Sequence, residues 1–333
     1  DQKISFGYSP TKGVYETRRF LAERVNKRGG TQITEEDIIF FNGLGDAIGR
    51  VYSSIRKDAR VIMPEPTYST HFLAEVLHAS LPVNTYRMDP HKNWHPDIDE
   101  LEQKIRADEI YNNMIYNGQQ TVPLSDVVED VPGISMKGIS KEYPWPGARC
   151  GWIEIYNGGK DPAFKKFVDA ILNQKMAEVC STTLPQMVIP EIMSHPMYDS
   201  YLHERLKHYE KLSNIAYSIL KDVPYTVVNR TNGAFYMSVV FNDGSLNNEQ
   251  ILEIENESIR SYVEMLTSGN IELDKRFVYY LLGATGICVV PLTSFFTKIP
   301  GFRMTLLEKD PDRFEQIVRK IAYSIVQYVE SGG

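Results

Sequence analysis

Apolar residues recur at helical spacing from Tyr15 to Val25, and the stretch closes at Arg28, Gly29 and Gly30, which read as a helix end and a loop. Asp37 to Phe41 is a short apolar run of strand length. It leads into Asn42, Gly43, Leu44 and Gly45, and then into a second helical stripe at Ala47, Ile48, Val51 and Ile55. Strand, glycine turn and helix in that order form the layout of a phosphate or ligand site in α/β proteins. Val61 to Met63 repeats the short strand and is stopped by Pro64 and Pro66, with helical spacing resuming at Phe72, Val76 and Leu77. This alternation predicts an α/β fold built on a mostly parallel, doubly wound sheet covered on both faces.

From Pro162 to about Leu220 the pattern is mostly helical, with breaks expected near Pro185, Pro190 and Pro196. Strands are expected at Tyr225 to Val228, Gly233 to Phe241, Ile287 to Val290 and Phe302 to Leu307, and a helix at Ile251 to Leu266. Pro311 to Val329 closes the chain as an amphipathic helix with Phe314, Ile317, Val318, Ile321 and Ile325 on one stripe. The change of pattern predicts a large domain over residues 30–210 and a smaller α+β domain made of residues 1–29 and 211–333. One junction breaks the alternation. The helical spacing at Leu101 and Ile105 runs straight into Asp108, Glu109, Ile110 and Tyr111 without the apolar strand a doubly wound sheet needs. Residues are therefore expected to be missing between about Ile105 and Asp108.

Two domains also follow from the length of 333 residues, at roughly 150 per domain. With 42% hydrophobic and 24% charged residues the composition is that of a globular protein, which excludes collagen, coiled coil and disorder. A net charge of −7 argues against nucleic acid or an anionic membrane surface as the main partner. No apolar run approaches the roughly 18 residues of a membrane span, and the first residues lack the pattern of a secretion leader, so a cytoplasmic protein is expected. Cys150, Cys180 and Cys288 are odd in number and widely spaced. They suggest neither a disulfide framework nor a metal site, and each is expected to be a small buried hydrophobe.

The stretch Ser140 to Trp152 holds the most distinctive chemistry. Lys141 precedes Arg149 by eight residues, with prolines and glycine between them, so a turn is able to fold both cations toward one anionic ligand. This segment resembles the lysine motif of the class I/II aminotransferases, the pyridoxal-phosphate enzymes of fold type I, in Ser140, Lys141, Gly147, Arg149 and Gly151. The resemblance extends along the chain. Tyr8, Pro10 and Gly13 are similar to the family's N-terminal tyrosine segment, and Asn42 to Ala47 to its glycine turn. Pro66, Thr67, Tyr68 and His71 resemble the element that stacks on the cofactor ring, and Asp108 and Tyr111 the family's aspartate and tyrosine pair. Gly233 to Tyr236 and Arg303 resemble the small-domain strand and the arginine that grips a substrate carboxylate.

The resemblance implies pyridoxal 5'-phosphate as cofactor, with Lys141 forming the internal aldimine and acting as the general base. Asp108 is then the carboxylate at the pyridine nitrogen, Tyr111 the partner of the phenolic oxygen, and His71 the support of the aspartate. Gly43, Leu44 and Gly45 would cradle the phosphate with Ser140 and Arg149, and Tyr68 would stack on the ring. Gly138 stands where some members place a phosphate-binding serine. Tyr8 is expected to reach the other subunit's site in a homodimer, and Arg303 to pair with the α-carboxylate.

The activity so implied is amino-group transfer between an L-amino acid and a 2-oxo acid by a ping-pong mechanism. The same scaffold also supports a carbon-sulfur lyase, a decarboxylase or the sensor domain of a transcription regulator. The regulator would carry a basic helix-turn-helix segment ahead of the domain, whereas this sequence begins at the tyrosine segment. A nicotinamide enzyme is disfavoured, because the glycine turn lacks three-glycine spacing and a ribose-binding acid.

Overall fold

Ile38–Phe41, here β1, is apolar on both faces and fully buried, as a strand inside a covered sheet must be. The computed structural model describes residues 7–59, 61–96, 107–108 and 114–332. Helix α1 (Tyr15–Asn26) precedes β1 and α2 (Leu44–Ser54) follows it, then β2 (Ile62–Glu65), α3 (Ser69–His78), β3 (Asn84–Asp89) and β4 (His95–Pro96). Next come β5 (Ala107–Asp108), α4 (Leu124–Val127), β6 (Gly133–Gly138) and β7 (Gly151–Tyr156), followed by α5 (Pro162–Met176), α6 (Thr183–Ser194) and α7 (Tyr198–Leu220). The chain continues through β8 (Thr226–Val228), β9 (Tyr236–Phe241), α8 (Glu257–Thr267) and α9 (Leu273–Thr285), and ends with β10 (Val290–Pro291), β11 (Gly301–Thr305) and α10 (Pro311–Glu330).

Two compact units result. The first comprises Asp1–Val61, Leu73–Val83 and Gln103–Glu204, and the second Ile62–Phe72, Asn84–Glu102 and Arg205–Gly333. This division departs from boundaries at residues 30 and 210. Residues 62–72 and 84–102 group with the C-terminal part, because β2 and β3 pair with each other and the Thr67 amide donates to the Phe295 carbonyl at 3.1 Å.

In the first unit the sheet order is β1-β7-β6-β5. Strand β7 runs antiparallel to both of its neighbours and β5 parallel to β6, so β1, β6 and β5 share one direction. Residues 139–150 between β6 and β7 hold only a single 3₁₀ turn at Pro146–Ala148, so no crossover helix links the two strands and they pair antiparallel. Leu21, Ala22 and Val25 of α1 pack with Phe40 and Trp152 in the core. The sheet itself buries an acid. Glu154 is 1% exposed and accepts from Trp152 Nε1 at 3.0 Å and from the Tyr156 hydroxyl at 2.8 Å, with Lys137 Nζ at 3.3 Å.

The second unit contains the antiparallel sheet β10-β11-β9-β8 and the ribbon β2-β3-β4, in which β2 and β3 are parallel. Its core is aromatic. Phe277 lies 5.1 Å from Phe241, 5.6 Å from Phe302 and 5.1 Å from Tyr328, centre to centre. Helix α10 buries the expected stripe through Phe314, Val318, Ile321 and Ile325.

Several local expectations are corrected. Pro185 and Pro190 lie within α6, and the helical stretch is broken instead at residues 177–182 and 195–197. The helix expected from Ile251 begins at Glu257, because the Asn256 side chain accepts from the Ile259 amide and caps it there. The strand expected at Ile287 to Val290 is confined to Val290–Pro291. Cys150 is buried, and burial pushes its thiol up to about 12, but Cys180 is half-buried and Cys288 exposed. The helical spacing at Leu101 and Ile105 lies outside the described residues. Among the described residues no helix is long and apolar enough to cross a membrane.

The Glu154 cluster supplies the first prediction. Glu154→Ala strips a shared acceptor from the Trp152 indole, the Tyr156 hydroxyl and the Lys137 ammonium, so the unfolding free energy in urea falls by about 3–5 kcal/mol. A loss under about 1 kcal/mol contradicts the assignment.

Candidate active site

After β1 the chain must turn sharply to start α2. Gly43 makes the turn at φ 87° and ψ 166°, a backbone region open essentially to glycine, and its amide donates to the Phe41 carbonyl at 2.9 Å. Asp46 in the first turn accepts from the Asn42 amide at 3.2 Å and pairs with Arg50 at 3.2 Å. The leading amides of a helix have no acceptor inside it and carry the positive end of its dipole. Leu44 and Gly45 therefore offer N–H groups suited to an anion.

The second wall of the site is the β6–β7 hairpin. Ile139 N–H donates to the Cys150 carbonyl at 3.3 Å, closing a loop that carries Ser140, Lys141 and Arg149. Ser140 and Lys141 are half-buried at the exit from β6. Arg149 is exposed, adopts a left-handed φ of 48°, and donates from Nη1 to the Pro146 carbonyl at 3.1 Å.

Glycines bring the two walls together. A Cβ added to Gly43 would lie 2.5 Å from Arg149 Nη2, so the guanidinium lies against this turn. A Cβ on Gly151 would lie 3.1 Å from the Leu44 amide nitrogen, and one on Gly138 3.2 Å from the Cys150 carbonyl oxygen. Crowding at residue 138 thus favours glycine where a phosphate-binding serine was the alternative. Gly45 is different, since a Cβ there meets nothing within 4 Å. Its contribution is the amide, and the turn requires glycine only at 43.

Sequence spacing gave no sign of the network behind the turn. Asn42 Oδ1 accepts from the Thr182 amide at 2.9 Å and from its hydroxyl at 3.0 Å, while Asn42 Nδ2 donates to Glu178. Lys175 is 0% exposed and donates to Glu178 at 2.6 Å and to Ser181 Oγ at 2.5 Å, and the Ser181 hydroxyl donates to the Phe40 carbonyl at 3.0 Å. Partners more than 130 residues apart leave no local pattern to read. Tyr8 is exposed and lines a surface depression with Asn42, Cys180 and Thr182.

The first unit thus brings Gly43, Leu44 and Arg149 together, at the end of the hairpin whose loop carries Ser140 and Lys141. Asp108 lies on β5, in parallel register with Met136 of the neighbouring β6. Tyr111 lies outside the described residues. Tyr68, His71 and Arg303 belong to the second unit. There Tyr68 and His71 meet edge to face at the start of α3, with ring centres 6.1 Å apart. Arg303 lies on β11 with its guanidinium carbon 4.2 Å from the Tyr236 ring centre and 4.0 Å from that of Phe295.

Residues 1–107 and 105–321 match the family model described as aminotransferase class I and II. The two stretches meet at residues 105–107, the junction where the alternation of the sequence breaks. An uncharacterised aminotransferase of Methanocaldococcus jannaschii is 50% identical over 98% of this chain and 85% of its own length, in an alignment of 368 positions. A crystal structure of an Escherichia coli aminotransferase superposes with a TM-score of 0.78 at 20% identity, covering 97% of this chain and 83% of that one. Alanine aminotransferase from Pyrococcus furiosus gives 0.76 at 22% identity, covering 94% and 84%.

The glycine geometry separates two neighbouring substitutions. Gly43→Ala destabilises the protein by about 1–3 kcal/mol through a strained backbone, and displaces Arg149. Gly45→Ala, on a helical position with open space, leaves stability unchanged or raises it by up to about 1 kcal/mol. Equal losses in thermal unfolding contradict the turn assignment.

Proposed function

Given that the chain belongs to the class I and II aminotransferases, we propose that it moves an amino group between an L-amino acid and a 2-oxo acid in two half-reactions, using pyridoxal 5'-phosphate. The observation that carries this reading is the Arg149 guanidinium lying against the Gly43 turn, at the end of the hairpin that also bears Lys141. The donor set fits the cofactor. Helix-terminal amides and a planar guanidinium suit a phosphate, and a lysine amine on the same hairpin loop suits an aldehyde.

Pyridoxal phosphate supplies an aldehyde that holds the amino group between half-reactions and a ring that draws electrons from the substrate's α-carbon. The chain supplies the rest. Leu44 and Gly45 amides with Arg149 hold the phosphate, joined by Ser140. The Lys141 amine would hold the aldehyde and would serve as the base for the proton at the substrate α-carbon. Asp108 keeps the pyridine nitrogen protonated, and Tyr111 hydrogen-bonds the phenolic oxygen. Tyr68 and His71 serve the ring, Arg303 pairs with the substrate carboxylate, and Tyr8 reaches the phosphate of a second subunit in a homodimer.

Protein mixed with pyridoxal phosphate is expected to absorb in the visible range and to bleach when an amino donor is added. Lys141→Ala abolishes the visible band and lowers transfer by about 10⁴-fold or more. A complete chain that binds no pyridoxal phosphate overturns the reading. Stoichiometric conversion to pyridoxamine phosphate supports transfer, whereas release of pyruvate and ammonia places the chain among the carbon-sulfur lyases.

A further inference from the structure

We infer that Phe295 and Tyr236 are positioning residues for substrate, their rings holding the Arg303 guanidinium in the plane in which it meets a carboxylate. This rests on the proposed pairing of Arg303 with the substrate carboxylate.

Strand alternation places the three groups. Arg303 pairs with Ser238 in the β11–β9 register and Thr305 with Tyr236, so Arg303, Ser238 and Tyr236 share one face of the sheet. Phe302, Met304, Met237 and Val239 are buried on the other face. Tyr236 is therefore the diagonal neighbour of Arg303, close enough for an aromatic ring to reach across. Phe295 arrives from the turn after β10. The guanidinium carbon lies over both ring faces, at 4.2 Å from Tyr236 and 4.0 Å from Phe295. Two such contacts attract the cation and remove its freedom to rotate out of plane. The guanidinium N–H donors all point along its edge, in the plane the two rings set, and that edge is the side by which it would meet a carboxylate.

The Phe295 ring is itself held. Asp274 is 0% exposed and accepts from the Thr293 amide at 3.0 Å, the Thr293 hydroxyl at 2.7 Å and the Gly301 amide at 3.3 Å, which ties both ends of the turn to α9. The Phe295 carbonyl accepts from Thr67 N–H at 3.1 Å, and Phe296 stacks on Phe72 at 3.9 Å. One turn thus fixes both the ring against Arg303 and the backbone beside Tyr68. A ring on a rigid turn preorganises the arginine, so less freedom is lost when substrate binds.

The test uses the loaded full-length enzyme and whichever of the twenty standard amino acids it transfers fastest to 2-oxoglutarate or pyruvate. Phe295→Leu and Tyr236→Leu are expected to raise KM for the amino acid by about 3- to 30-fold each, with kcat within about threefold. Phe295→Tyr and Tyr236→Phe keep a ring face and are expected to hold KM within about twofold of the original. If the ring-retaining variants lose as much as the leucine variants, or if the leucine variants leave KM unchanged, the inference is overturned. Arg303→Ala separates the two levels. An unchanged KM there removes the carboxylate pairing itself, whereas a raised KM beside unaffected leucine variants removes only the aromatic contribution.

Discussion

The close approach of one helix N-terminus to the end of one hairpin is the constraint on which the site depends. Backbone amides act on an anion only at contact distance, and a guanidinium adds its two-point contact only if it lies beside them. Side chains at residues 43 or 151 would hold these surfaces apart, since each would place a Cβ within 2.5 to 3.1 Å of an opposing atom, while one at 138 would crowd the Cys150 carbonyl within the hairpin. Glycine at those positions costs conformational entropy on folding. In return the first turn of α2 and Arg149 face the same space.

Buried polar groups keep that geometry from relaxing. Lys175, Glu178, Ser181 and Asn42 form a chain of hydrogen bonds that fastens the end of β1 to residues 178–182, and the Lys175 ammonium also lies 5.4 Å from the Phe41 ring centre. Glu154 does the same for the hairpin, binding Trp152, Tyr156 and Lys137. A buried charge without partners is expensive, and each of these is satisfied several times over. These networks brace the glycine turn on both sides.

The legible part of the sequence was the part written locally. The helical stripes of α1 and α10, the run Ile38–Phe41 and the glycine turn after it could be read from spacing, because each follows from the period of its own element. Antiparallel β7 was not foreseen, since direction in a sheet depends on which strands meet. Pro190 misled because a proline signals a helix break only on average, and α6 carries it in its interior. Asn42 and Ser181 escaped because the partners that tie them across the fold are distant in sequence, and the Lys175–Glu178 pair, three residues apart, shows its burial only in the structure. Phe295 escaped for a related reason, since its ring matters through Arg303 on another strand. Motif resemblance singled out Lys141 and Arg149, and only the structure showed that Gly151 lies against the Leu44 amide of α2.

Reductive trapping tests the central claim most directly. Protein saturated with pyridoxal phosphate is treated with borohydride, digested and mapped by mass spectrometry. The account predicts one dominant pyridoxyl-phosphate modification, on the peptide containing Lys141, and its loss in Lys141→Ala. A dominant label on another lysine, such as Lys137 or Lys175, or a label undiminished in that variant, contradicts it.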